Sequence, residues 1–282
     1  MSSREDRPRP AVRPADPPPA APGVGAPVHL AYGRDLSQFG ELTLPAGGGP
    51  AAVAVVVHGG FWRATYGLEL GRPLAVDLAN AGYAAWNVEY RRVGNGGGWP
   101  ATVEDIAAAV DLLAGPGQDA AGGRLDLGRV VAVGHSAGGH LGVWLAARPG
   151  APAGTPGAGP RVHLRGVVSQ AGVLDLVDAA EEGIGRRAVE AFLGGMPADV
   201  PDRYALASPA ARVPLGVPVV AVHGDADPNV PLRQSERFVA AARAAGDPAE
   251  LVRLPGTDHF AVIDPGTAAW RACRDAALQL LR

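Results

Sequence analysis

Ser136 is the residue around which chemistry can be assembled. It stands in Gly134-His135-Ser136-Ala137-Gly138, directly after the apolar run Val130-Val131-Ala132-Val133. A G-x-S-x-G pentapeptide between a strand and a helix lifts a serine hydroxyl on a tight turn, and flanking glycines remove the Cβ atoms that would collide there. A hydroxyl is a poor nucleophile at neutral pH, so it needs a base and a group to orient that base. Four of the seven histidines follow Ser136: His140, His163, His223 and His259. Only His259 lies in a loop beyond the last strand candidate, in "PGTDHFAV", and it is the candidate base. His140 falls one helical turn after the serine, while His163 begins a strand and His223 closes one, so packing or capping suits each better than catalysis. His58 and His135 precede the serine and are set aside for that reason.

A carboxylate is expected at the end of the strand before His259, where "VPVVAVHGDADPNVP" offers Asp225 and Asp227. Asp175 is an outside candidate by position, and Asp258, adjacent to His259, would have to turn back on its own neighbour. A charged tetrahedral oxygen needs fixed N–H donors. The strand exit His58-Gly59-Gly60-Phe61-Trp62 and the start of the helix after Ser136 supply them, giving Gly60, Phe61 and Ala137 as the expected oxyanion donors.

These groups converge only if strands deliver them to one edge of a sheet. Apolar β-type runs are expected at 28–32, 41–45, 52–58, 84–90, 129–135, 165–170, 217–224 and 249–255. Helical periods fill 68–81, 101–114, 137–147, 232–245 and 267–281. That alternation predicts an α/β fold with eight strands, mostly parallel, and helices on both faces. The first two strands are too close in sequence for a crossover and should form a hairpin. The interval 171–214 reads as a small, cap-like helical insertion after strand six. Residues 1–26, rich in Pro and Ala, read as a disordered tail without the apolar core of a secretory leader, and 27–282 as one domain.

Composition closes off other chemistries. All 25 basic residues are Arg, which removes P-loop lysines, Schiff-base lysines and Ser-Lys dyads. The net charge of −3 offers no field for nucleic acid, and no run of about 18 apolar residues would span a membrane. With Cys273 alone there is neither an internal disulfide nor a multi-cysteine metal site. A cytoplasmic protein with a small-molecule substrate, no metal and no cofactor is expected; a homodimer is allowed for.

Three motifs carry a resemblance: H-G-G-F-W at 58–62, G-H-S-A-G-G-H at 134–140 and H-G-D-A-D-P-N-V-P at 223–231. Over residues 28–282 the chain resembles the α/β-hydrolases of the esterase/lipase type, and within them the kynurenine formamidase (arylformamidase) branch. The resemblance implies an α/β-hydrolase fold and a triad of Ser136, Asp227 and His259, because the H-G-x-x-D-x-x-V-P spacing in serine hydrolases places the orienting acid at Asp227. It implies an acyl-enzyme mechanism without a cofactor. A formyl group needs little room, and an aromatic leaving group would suit Trp62, Trp99 and Phe260 as substrate-binding residues. Phe61 stands where many esterases carry a third glycine, which favours the formamidase side. Carboxylesterases acting on small acyl esters or secondary-metabolite intermediates share His-Gly-Gly-x-Trp and remain the alternative, as does a catalytically inactive binding protein on the same fold.

Overall fold

The computed structural model describes residues 14–282. Its centre is a single sheet of eight strands in the order β1-β2-β4-β3-β5-β6-β7-β8. The strands are β1 (Val28–Ala31), β2 (Phe39–Thr43), β3 (Ala51–Val57), β4 (Ala84–Val88), β5 (Leu125–His135), β6 (Gly166–Gln170), β7 (Val219–Gly224) and β8 (Ala249–Leu254). β1 and β2 pair antiparallel, as does β2 with β4. Every other pairing is parallel. The eight mostly parallel strands and the edge hairpin agree with the sequence pattern. β3 reads AAVAVVV and is buried at all seven positions, as expected of a parallel strand covered on both faces.

Two apolar layers sandwich the sheet. On one face lie α1 (Arg72–Asn80) and α9 (Ala268–Leu280), bringing Leu74, Leu78 and Trp270 onto Ala54, Val56 and Val131. On the other lie α2 (Ala101–Asp111), α4 (Ala137–Ala146) and α8 (Arg233–Ala244), with Ile106, Leu141 and Phe238 packed toward Val53, Val55 and Val167. Each large apolar side chain buried in this way contributes roughly 1.5–3 kcal/mol. A short α3 (Pro116–Ala120), not anticipated from the pattern, precedes β5. The helix expected over 68–81 starts as a 3-10 turn at Leu68–Leu70, and its α-helical part opens at Arg72-Pro73, where a proline lacking its N–H costs least.

Between β6 and β7 the chain forms α5 (Leu176–Glu181), α6 (Ile184–Leu193) and α7 (Pro201–Ala207). This is the helical insertion foreseen at 171–214. The first turn of α6 is left-handed at Gly185, Arg186 and Arg187.

The expected tail divides in two. Residues 1–13 lie outside the described residues, whereas 14–27 form an extended arm with defined partners. Asn80 accepts from the Ala21 N–H (2.8 Å) and donates to the Pro19 carbonyl (3.0 Å), and the Gly25 N–H donates to the Leu44 carbonyl. Pro14 and Ala15 wall a groove with Asp258, Phe260 and Asp264. The last helical turn of the chain lies elsewhere, the Leu281 carbonyl accepting from Arg129 Nη1 at 3.5 Å. Among the described residues no helix is long and apolar enough to cross a membrane.

Candidate active site

Ser136 joins the end of β5 to α4 with φ 55° and ψ −116°. A non-glycine residue in this region costs about 1–3 kcal/mol and needs fixing by its surroundings. Ser136 donates its N–H to the Gln170 carbonyl (2.8 Å), and its own carbonyl accepts from the His140 N–H (3.1 Å). The glycines of the pentapeptide are required by close approach. A Cβ on Gly134 would lie 2.1 Å from the Gly138 carbonyl oxygen, and one on Gly138 would lie 2.1 Å from that of Val57. Gly59 is as constrained, since its Cβ would meet Ser136 Cβ at 2.9 Å.

Asp227 and His259 come together from the loops after β7 and β8. His259 Nδ1 donates to Asp227 Oδ2 at 2.6 Å. Asp227 Oδ1 accepts from the N–H groups of Asn229 (2.8 Å) and Val230 (2.9 Å), and His223 Nε2 stands 3.3 Å from Oδ2. Burial pushes the Asp227 carboxyl up, but the hydrogen bonds from His223 and His259 outweigh it, so the group lies well below the usual carboxylate range. An ionised Asp227 keeps the proton on Nδ1 of His259 and leaves Nε2 as an acceptor. His223 is itself held: Nε2–H donates to the Val230 carbonyl (2.9 Å) and Nδ1 accepts from Ser235 Oγ (2.8 Å).

The other acid candidates have different work. Asp225 accepts from the Gly256 N–H (2.7 Å) and pairs with Arg253. Asp175 caps α5, accepting from the Asp178 N–H. Asp258 turns forward onto the N–H groups of Phe260 and Ala261.

Ser136 and His259 both border a cavity of about 70 Å³. By the same measure a water occupies roughly 10–15 Å³, so the space holds a group of a few heavy atoms. Gly60, Phe61 and Tyr66 form one wall, Leu70 and Asn229 contribute to others, and His135 and Phe260 complete the lining. The chain over Gly60, Phe61 and Trp62 is left-handed throughout, with φ of 112°, 54° and 55°. Among the described residues the N–H groups of Gly60 and Phe61 have no protein acceptor. The Ala137 N–H opens α4, where helix geometry supplies none either. Gly185 allows α6 to press on this loop, since a Cβ there would lie 2.4 Å from the Phe61 ring.

Of the three aromatic residues expected to bind substrate, only Phe260 reaches the cavity. Trp62 is fully buried and turned away from it, its ring stacked on Phe192 at 4.8 Å and its indole N–H donating to His140 Nδ1 at 3.2 Å. The left-handed backbone at Trp62 directs the side chain under the loop. Trp99 packs against the edge of the main core, its N–H donating to the Phe192 carbonyl (2.8 Å), and it does not line the cavity.

Tyr66, Leu70 and Asn229 are not among the expected residues, and His135, set aside as a base, lines the cavity as well. Tyr66 packs closely on the glycine loop, since a Cβ on Gly60 would come within 2.7 Å of it. His135 Nε2–H donates to the His259 carbonyl at 2.9 Å, tying the residue before the serine to the loop of the base. Burial pushes its ring down to about 3, which keeps it neutral.

A second histidine–carboxylate pair lies beneath the glycine loop. His58 Nε2 is 3.0 Å from Glu89 Oε1, and His58 Nδ1 is 2.8 Å from the Gly59 carbonyl. Glu89 also accepts from the N–H groups of Leu68 and Tyr90 and pairs with Arg92. Among the described residues no group of His, Cys, Asp and Glu could hold a metal ion.

Residues 41–241, more than two thirds of the chain, match the model of the BD-FAE family. Esterase LipQ of Mycobacterium tuberculosis is 29% identical over 219 residues, a span covering 76% of this chain and 51% of that protein. The chain thus spans about half the length of that curated relative. Similar solved structures include a truncated carbohydrate esterase from gut microbiota (TM-score 0.78, 22% identity, 93% of this chain and 98% of that one). A thermophilic esterase from the Planctomycetes species Thermogutta terrifontis, described as butyrate-bound, gives a TM-score of 0.71 at 23% identity over 92% of this chain and 94% of that one. These likenesses show the α/β-hydrolase fold.

Proposed function

Since the chain belongs to the BD-FAE family, a family of α/β-hydrolase esterases, we propose that it hydrolyses carboxylic esters of short acyl groups with Ser136 as nucleophile. The observation that carries this reading is the 2.6 Å bond from His259 to Asp227, made beside a cavity that Ser136 and His259 share. In the reaction, His259 Nε2 takes the proton of Ser136 Oγ as the oxygen attacks the ester carbon. The tetrahedral oxygen is held by the N–H groups of Gly60, Phe61 and Ala137, where losing one donor typically costs about 3 kcal/mol, or a hundredfold in rate. His259 returns the proton to the departing alcohol, and water, activated in the same way, releases the acid and restores Ser136. Asp227 keeps the imidazole in the required tautomer throughout. The cavity of about 70 Å³ and the butyrate-bound neighbour support a short acyl chain.

An aryl formamide is the second reading, favoured by the same small space and by the walls of Phe61, Tyr66 and Phe260. A panel of p-nitrophenyl acetate, butyrate and octanoate with N-formylkynurenine, run on the wild type and Ser136→Ala, tests both. Fast turnover of acetate and butyrate that disappears in Ser136→Ala is the expected result. Preference for N-formylkynurenine would move the assignment to the amide. Full activity in Ser136→Ala would end it.

A further inference from the structure

The motifs H-G-G-F-W and G-H-S-A-G-G-H meet in space. Trp62, last residue of the first, donates its indole N–H to His140, last residue of the second, at 3.2 Å. An indole N–H is a donor only, so His140 Nδ1 must be the acceptor and Nε2 must carry the proton. Nε2–H then donates to the Ala207 carbonyl at 2.9 Å, at the end of α7. One directed chain of hydrogen bonds therefore runs from the glycine loop, through the helix behind Ser136, to the insertion. Both rings are fully buried, and Phe192 stacks on Trp62 and meets His140 edge-on.

What this chain restrains is a costly piece of backbone. Phe61 and Trp62 are consecutive non-glycine residues with positive φ, a conformation that L-residues leave unless contacts over-determine it. The backbone bonds Arg63 N–H to Gly60 carbonyl (3.0 Å) and Val93 N–H to Trp62 carbonyl (2.8 Å) close the turn. Neither relates it to Ser136. His140 does, since its N–H bonds the Ser136 carbonyl while its ring holds Trp62.

We propose that Trp62 and His140 are positioning residues, whose hydrogen bond sets the N–H groups of Gly60 and Phe61 in register with Ser136. This rests on the esterase reading given above. The link acts where charge develops on the tetrahedral oxygen, so its loss lowers kcat and leaves KM nearly unchanged.

The test uses Trp62→Phe, His140→Leu, His140→Gln and the double variant Trp62→Phe/His140→Leu, with active sites counted by stoichiometric fluorophosphonate labelling. On p-nitrophenyl butyrate, Trp62→Phe and His140→Leu should each lose about tenfold or more in kcat per labelled site, with KM within about twofold. The double variant should fall no more than about twofold below the worse single variant, because both remove one link. His140→Gln keeps an acceptor for the indole and a donor for the Ala207 carbonyl, and should recover about threefold or more over His140→Leu. A purely structural role would lower the melting temperature and the yield of labelled sites but not kcat per site. If Trp62→Phe fails to fold, the Gln-against-Leu comparison at His140 decides. Unchanged kcat per site in Trp62→Phe, or multiplicative losses in the double variant, overturns the positioning role. If Ser136→Ala is inert in the same assays, that result leaves the esterase reading standing; turnover surviving in Ser136→Ala overturns both.

Discussion

Among the described residues two buried carboxylates, Asp227 and Glu89, each hold histidine within one small region, and only Asp227 holds a ring that opens on the cavity. His259 and Asp227 approach to 2.6 Å, His58 and Glu89 to 3.0 Å. The difference lies in the remaining partners. Glu89 shares its oxygens among His58, Arg92 and two backbone N–H groups, and both ring nitrogens of His58 face protein acceptors. That pair is closed on itself. Among the described residues no arginine pairs with Asp227; its partners are two backbone N–H groups and two imidazoles, and His259 lines the cavity. A histidine–carboxylate distance does not by itself distinguish a proton-transfer pair from a brace. What distinguishes them is whether the ring keeps one nitrogen uncommitted toward space that a substrate can fill.

Substitution should separate the pairs most sharply at the acids. Asp227→Asn keeps the shape but favours the wrong tautomer of His259, so kcat should fall by about 10⁴, and stability should fall by about 3 kcal/mol because this buried charge is paired too. A kcat within tenfold of wild type would remove the distinction drawn here. Glu89→Gln should cost a similar amount of stability, because a paired buried charge is broken there as well, but leave kcat per labelled site within about fivefold. Denaturant unfolding with active-site titration reads both quantities. His223→Gln, which removes an imidazole 3.3 Å from Asp227 Oδ2, should lower kcat by about tenfold, near the worth of one hydrogen bond to a charged group.

The smallest effect is in pH dependence. Burial raises the Glu89 carboxyl, but the His58 hydrogen bond and the Arg92 charge leave it below its ordinary 4.5. A lowered folded-state value stabilises fully above the unfolded value and is lost as pH falls through the folded one. Wild-type melting should therefore decline below about pH 4.5, and Glu89→Gln should flatten part of that decline. Parallel melting curves for the two proteins across pH 5 to about 3 would show that Glu89 contributes nothing there.

Much of the fold was legible because its strands are covered on both faces and so read as unbroken Val- and Ala-rich runs. β5 was read as starting at 129, yet pairing with β3 begins at Leu125. The register shift between Ala52 and Val53 leaves Leu127, Gly128 and Arg129 without partners on β3, and this break hides the earlier residues from a periodicity argument. Chain order and strand ends single out Ser136 and His259 and narrow the acid to Asp225 or Asp227, and only the resemblance carried by H-G-x-x-D-x-x-V-P points to Asp227, whose carboxylate the structure sets 2.6 Å from His259. The cavity wall does not. Trp62 looked like a pocket residue by type and place, but a φ of 55° sends it beneath the loop, and no residue type announces that angle. Tyr66 comes from a loop whose path depends on Arg92 binding its carbonyl, a contact between segments 26 residues apart. Local sequence does not encode such a meeting.

The placement of the arm has a practical side for anyone attaching this protein to a solid support. Pro14 and Ala15 lie beside Phe260, which also lines the active-site cavity, so coupling through residues near them would press a resin against the mouth of the site. Leu281 sits against Arg129, six residues and about 20 Å of strand away from His135. A linker placed there would leave the cavity facing the flowing solution, and a packed column made that way should retain more of the free protein's turnover than one coupled near Pro14.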